Sequence, residues 1–303
     1  MRQLGWKKNS ARVSKPLSLA QRRKRDSQCR QVLRAGIQVL FFLLAPSLFT
    51  SAFTGLKQIF AAIGSGSPLK CTGFVSVLLV LCVFTAVFGR FFCGFACPFG
   101  ALGDFMYFLR VRLEKIRRKK LARIPPKRIG RLNALPFLIL SGLLLLCAMG
   151  GYGKLSEWIP WNVFSMLTAG NLRLDGFLPG AVLLAVILVG MALEPRFFCR
   201  FLCPLGAVFR LLPIFPWAVL KRDTGNCLKG CSLCTKSCPV SHTLGSEENA
   251  GNCIRCDQCL GTCPKQNIHA GFGSRSKARL LLTVGKAVLL LLLADWLNAI
   301  RFF

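Results

Sequence analysis

Two cysteine runs in the last third of the chain constrain it more than any other feature. The second reads Cys253-x2-Cys256-x2-Cys259-x3-Cys263-Pro264 and the first Cys227-x3-Cys231-x2-Cys234-x3-Cys238-Pro239. In such a run three thiolates on a tight loop cap one face of an iron–sulfur cubane. The fourth, turned away by the proline, reaches the neighbouring cluster. Soft thiolates are the ligands these clusters require. Crossed ligation is therefore expected. Cys227, Cys231, Cys234 and Cys263 would hold one [4Fe–4S] cluster, and Cys253, Cys256, Cys259 and Cys238 the other. The first gap of the upstream run is one residue long for the pattern, which weakens the match at Cys227 alone. Zinc also accepts four cysteines, but two full runs, each closed by Cys-Pro, exceed what a zinc ribbon uses.

The rest of the chain is apolar and basic. Of 303 residues, 53% are hydrophobic, and the excess lies in runs. A helix crossing a bilayer needs about 20 mostly apolar residues. Four segments suggest this, at about 32–53, 73–88, 134–149 and 177–193, with buried helices of a soluble core as the other reading of the shorter ones. A fifth stretch, Leu280–Ile300, is interrupted by Lys286 and Asp295 and is expected to span the membrane or lie along it.

The net charge of +30 is placed as loops flanking spans would place it. Arg110, Arg112, Lys115, Arg117, Arg118, Lys119, Lys120, Arg123, Lys127, Arg128 and Arg131 stand between the second and third segments. The excess of Lys and Arg in cytoplasmic loops then predicts a multi-pass protein of the cytoplasmic membrane, with its N-terminus and cysteine runs in the cytoplasm. Trp158 and Trp161 would lie at the outer interface. Nucleic acid is not an expected partner, because the charge brackets apolar segments and does not form a binding face.

The chain also repeats itself. Gly89-Arg-Phe-Phe-Cys-Gly-Phe-Ala-Cys-Pro-Phe-Gly-Ala101 and Pro195-Arg-Phe-Phe-Cys-Arg-Phe-Leu-Cys-Pro-Leu-Gly-Ala207 agree at 9 of 13 positions. Cys93 and Cys97, like Cys199 and Cys203, share one helix face by spacing. Pseudo-symmetry would gather all four thiols near the clusters. A second metal site, a redox-active dithiol and simple packing all stay open for them. Arg90 and Arg196, three residues before each first cysteine, read as side chains snorkelling to the interface. No Walker A, G-x-G-x-x-G or C-x-x-C-H motif is present.

Paired Phe-Cys-x3-Cys-Pro-x-Gly motifs after apolar segments, followed by two ferredoxin runs, resemble the membrane-bound polyferredoxin family. Its members include the nitrate-reductase-type quinol dehydrogenase subunits and the related nitrous-oxide-reductase regulatory and cytochrome-oxidase-assembly ferredoxins. The resemblance spans roughly residues 30–270. It implies that Cys93, Cys97, Cys199 and Cys203 are functional and that the runs hold two [4Fe–4S] clusters.

The expected architecture is an α-helical membrane bundle of four transmembrane helices, with a fifth in question, carrying a small 2×[4Fe–4S] ferredoxin-like α+β domain. Its units would be a basic cytoplasmic tail (1–30), a first membrane repeat (31–110), a basic loop (111–131), a second repeat (132–220), the ferredoxin-like domain (221–272) and a hydrophobic helix (279–303). The expected function is electron relay between a cytoplasmic or quinone-linked protein partner and a membrane redox system, as a subunit and not a stand-alone enzyme. The rival is a metal-handling factor using the four repeated thiols. Lipid, a redox protein and quinone are the expected partners.

Overall fold

The computed structural model describes residues 19–118, 132–171, 176–223, 225–228, 230–242, 244, 251–270 and 276–297. The tail before Leu19 and the basic positions 119, 120, 123, 127, 128 and 131 lie outside these.

Helix α1 (Leu19–Leu44) is followed by α2 (Leu48–Ser65). The sequence reads 32–53 as one run, but the structure breaks it at Ala45-Pro46-Ser47 and bends the axes by 63°. Pro46 has no N–H to continue the helix and disfavours helical backbone at the residue before it. Then come α3 (Gly73–Phe88), a wide π turn (Phe92–Ala96) and α4 (Pro98–Arg117). The second half holds α5 (Leu135–Ala148), the short α6 (Tyr152–Leu155), α7 (Pro160–Thr168), α8 (Leu178–Leu193), α9 (Phe197–Phe201) and α10 (Pro204–Leu211). The cysteine module follows: β1 (Leu220–Arg222), α11 (Leu233–Lys236), α12 (Gln258–Thr262) and β2 (Ile268–Ala270). Strands β1 and β2 pair antiparallel, with Leu220 opposite Ala270. Helix α13 (Ser276–Trp296) closes the described chain.

This corrects the expected bundle of four or five transmembrane helices. No single helix among the described residues is long and apolar enough to cross a membrane; only the bent pair α1–α2 passes that test, and only as a pair. Helices α3, α5 and α8 have 16, 14 and 16 residues. At about 1.5 Å per residue each is at most roughly 24 Å long, against a hydrocarbon layer of about 30 Å. The terminators are local. Gly89, at φ 72°, stops α3. Pro195 forces Glu194 into extended backbone at the end of α8. Helix α13 covers much of Leu280–Ile300 but does not meet the test either.

One large core draws on both halves. Phe99 from the first repeat and Phe198 from the second meet at 4.2 Å between ring centroids, and Phe49 of α2 packs on both. Trp161, expected at an interface, is instead buried edge-on against Phe53, whereas Trp158 is exposed. Ile254, from the cysteine module, belongs to the same core. Among the described residues, the module's own buried core is Leu220, Cys234, Leu244, Leu260 and Ile268. So small an apolar centre rarely sustains a fold without a staple such as a metal.

Candidate iron–sulfur centres

Each centre begins with the backbone of a Cys-Pro pair. Proline pushes the residue before it into extended conformation. Cys97, Cys203 and Cys263 accordingly have φ/ψ near −71/117°, −74/111° and −71/117°. Cys97 and Cys203 cap the helix that follows, with proline in its first turn, where a missing N–H costs nothing, whereas Cys263 ends the helix before it. In both repeats the same wide turn precedes it. The Cys97 N–H donates to the Phe92 carbonyl (2.8 Å) and the Cys203 N–H to the Phe198 carbonyl (2.9 Å).

The runs use a second version of this turn. Cys238 and Cys263 each accept a backbone N–H four residues on, from His242 and Asn267, both at 3.3 Å. The turns close through left-handed Ser241 (φ 51°) and Gln266 (φ 52°). N–H donors aimed at a thiolate sulfur stabilise its charge and are one of the levers that set a cluster's potential.

Cysteines of both runs share one cavity. A small cavity of about 20 Å³ is walled by Cys253, Cys256 and Cys259 of the second run together with Cys234 and Cys238 of the first, and His242 also lines it. Left-handed Arg255 (φ 53°) and Asp257 (φ 57°) curl the loop that presents the three second-run thiols. Burial pushes the Cys253 thiol up to about 12 and raises Cys256 and Cys259 as well. Elsewhere in the module Asn267 ties the ends of the other set. Its backbone reaches Cys263, and its side chain approaches Cys227 Sγ at 3.9 Å while donating to the Asp223 carbonyl. Arg222 lies 3.5 Å from Cys234 Sγ and is electrostatically coupled to Cys227 and Cys231.

The four repeated cysteines also converge. All are buried, at 6–7% exposure. Cys97 is coupled through space to Cys93, Cys199 and Cys203, and burial pushes both Cys97 and Cys203 well up. Backbone N–H groups of Gly100 and Gly206 point at Cys97 and Cys203, the latter at 3.1 Å. Among the described residues no three His, Cys, Asp or Glu side chains close to the spacing of a single-ion site.

Two arginines thread this cluster. The snorkelling expected of Arg90 and Arg196 does not occur: each is 1% exposed, inside the protein. Arg196 crosses from the second repeat into the first. It donates to the carbonyls of Cys93 and Gly94, grips Asp104 with two bonds (2.8 and 2.6 Å) and lies 4.0 Å from Cys199 Sγ. Arg90 reaches Cys93 Sγ (3.8 Å) and the Gly251 carbonyl (3.0 Å); its Nε has no partner. Arg34 of α1 joins the same network through Asp104 (2.5 Å) and the Gly94 carbonyl (3.0 Å). Burial favours the neutral carboxyl at Asp104, but Arg196 and Arg34 outweigh it and hold Asp104 below the usual carboxylate range. Sequence reading missed these roles. The available signal was that Arg90 and Arg196 occupy the same repeat position.

The cysteine module docks on the first motif. A Cβ at Gly94 would strike the Ile254 carbonyl and come within 3.4 Å of the Cys256 nitrogen, so only glycine lets the second-run loop settle there.

Comparison with known proteins agrees with this chemistry. The family model described as a 4Fe-4S binding domain matches residues 72–117 and 177–219, which contain both repeated motifs. Two Methanocaldococcus jannaschii proteins are similar at 30% identity: MJ0750, over 82% of this chain and 98% of that protein, and MJ0749, over 78% and 85%. Both are described as uncharacterized. The methylamine utilization ferredoxin-type protein MauN of Paracoccus denitrificans is 28% identical over 59% of each chain. The chain belongs to the polyferredoxin family of ferredoxin-type proteins. As a polyferredoxin it binds iron–sulfur clusters in electron transfer. No solved structure matches it.

Proposed function

We propose that this polyferredoxin is a membrane-associated electron relay holding two [4Fe–4S] clusters in its cysteine module. Cys227, Cys231, Cys234 and Cys263 hold one cluster, and Cys253, Cys256, Cys259 and Cys238 hold the other. The observation that carries the reading is the cavity where Cys238 joins three thiols of the other run. Such clusters supply one-electron chemistry when bound. The surrounding residues supply the rest. His242 and Asn267 aim backbone N–H groups at the two Cys-Pro sulfurs, and Arg222 places a cation beside the first run.

The module is polarised. Cys256 of the second run packs against the large core, whereas Leu228 and Leu233, beside the cysteines of the first run, are exposed. A soluble redox protein would therefore exchange electrons at the first run, and the path leads inward past Gly94. Exposed apolar side chains on α3, α5 and α8, such as Val83, Leu138 and Val186, support contact with lipid. Quinone is the small-molecule partner proposed on that side.

Anaerobic purification followed by EPR after dithionite reduction tests the reading; absence of [4Fe–4S] signals overturns it. The rival, a metal reductase acting on a single ion at the four repeated thiols, has less support, because no three of the described ligand side chains approach one ion's spacing.

A further inference from the structure

We infer that Cys93, Cys97, Cys199 and Cys203 bind a third [4Fe–4S] cluster between the two repeats, and that buried Arg90 and Arg196 provide its counter-charge. The inference rests on the iron–sulfur reading above but concerns a separate set of ligands.

Geometry is the first argument. Two thiols come from each repeat, all four are buried, and they couple to one another. The arginines interlock across the repeat boundary. The Arg196 guanidinium lies against Gly100, where a Cβ would collide with it, and the Arg90 guanidinium lies 3.3 Å from the Cβ position of Gly206. The thiols do not close to a single ion's spacing. The eight run cysteines do not either, and their pattern is that of cubane ligands. A cubane carries its thiolates on separate corners, which four thiols drawn in pairs from two repeats can supply.

Charge is the second argument. Arg90, Arg196 and Arg34 are buried here, and Asp104 is the carboxylate that bonds to two of them. Arg90 has only a carbonyl and a sulfur as described partners, with its Nε unsatisfied. A buried cation without a counter-ion is costly. An oxidised cubane with four thiolates carries a net charge of about −2, which answers this excess. The N-termini of α4 and α10 also present N–H groups to Cys97 and Cys203, where helix geometry favours negative charge.

Position is the third. Gly94, between Cys93 and Cys97, touches the backbone of Ile254 and Cys256. The 4Fe-4S family model covers both motifs and stops before the first run. A cluster here would extend the relay from the second run into the repeats.

The full chain, purified anaerobically, is assayed for iron and acid-labile sulfide. Three clusters predict about 12 iron per chain, and two predict about 8. Joint Cys→Ser change at 93, 97, 199 and 203 is expected to remove about four iron while the EPR signals of the run clusters persist. Unchanged iron overturns the inference, as does a variant that loses added copper but no iron. If that variant does not accumulate, Cys97→Ser alone must alter one cluster's EPR spectrum; an unaltered spectrum counts against the site. Arg90→Gln, which removes the counter-charge but no ligand, is expected to move one of three reduction steps to lower potential and leave two in place. Three unmoved steps would overturn the role of Arg90. Joint Cys→Ser change at 238, 253, 256 and 259 separates this from the two-cluster reading. If iron is insensitive to that change but falls with the repeat cysteines, the run clusters fail and the third site stands.

Discussion

The two repeats carry the same Cys-x3-Cys-Pro turn, yet the protein uses them differently. At equivalent positions the first has Gly94 and Asp104 and the second has Arg200 and Arg210. Gly94 leaves room for the second-run loop, whereas Arg200 sends a side chain to Ser241 Oγ at 3.0 Å, near Cys238. Asp104 anchors an arginine from the opposite repeat. Arg210 adds a cation instead, and burial beside Arg90 holds it down at about 10. Duplication supplied a symmetric set of thiols. Differences at a few flanking positions make the platform asymmetric, with the cysteine module contacting the two motifs by different means.

Removing Asp104 should damage this asymmetry most. Asp104→Asn leaves Arg34 and Arg196 buried without their carboxylate, and a loss of roughly 3–5 kcal/mol is expected, read as a lowered thermal midpoint. Because Asp104 titrates below its unfolded value, its contribution is complete above about pH 4 and is lost as pH falls through the folded pKa. The gap between wild type and Asp104→Asn should therefore narrow in acid; a gap that persists under acid conditions contradicts the network. Making the repeats alike at the next position, by Gly94→Arg, drives a side chain into the Ile254 carbonyl and should cost about 3 kcal/mol. Faster proteolysis of the cysteine module would report the undocking, and unchanged protection would show that the two parts do not depend on this contact. Gly100→Ala and Gly206→Ala give a paired test. A methyl at 100 strikes the Arg196 guanidinium, but at 206 it meets neighbours at 3.3 Å. About 2 kcal/mol is expected at 100 and below about 1 at 206; equal costs would mean the repeats are closer to symmetric than described. Arg200→Ala should be smallest, about 1.5 kcal/mol for one charged hydrogen bond, measured as a shift in denaturation midpoint.

The Cys-Pro turns of the candidate site were legible in the sequence because their geometry is local. A proline favours extended backbone at the cysteine before it, and the loops between cysteines are a few residues long, so spacing is informative. The apolar segments were read correctly as helices but not as spans. Pro46 divides the first, and Gly89 and Pro195 stop others before a bilayer's thickness is reached. Arg90 and Arg196 were placed at an interface because an arginine after an apolar run usually escapes to water. Here each is drawn inward by carbonyls, sulfur and, for Arg196, a carboxylate 92 residues away.

By itself the sequence determined the spacing of the cysteines, the duplication and the Cys-Pro turns, since these depend on bonds and sterics within a few residues. The tertiary structure alone decided that Cys238 faces the other run's cavity, that Arg90 and Arg196 exchange places across the repeats, and that Gly94 is the docking point. Those contacts join residues tens to more than a hundred positions apart. They exist only because one core packs both halves together, and no local propensity encodes which buried cation will find which counter-charge.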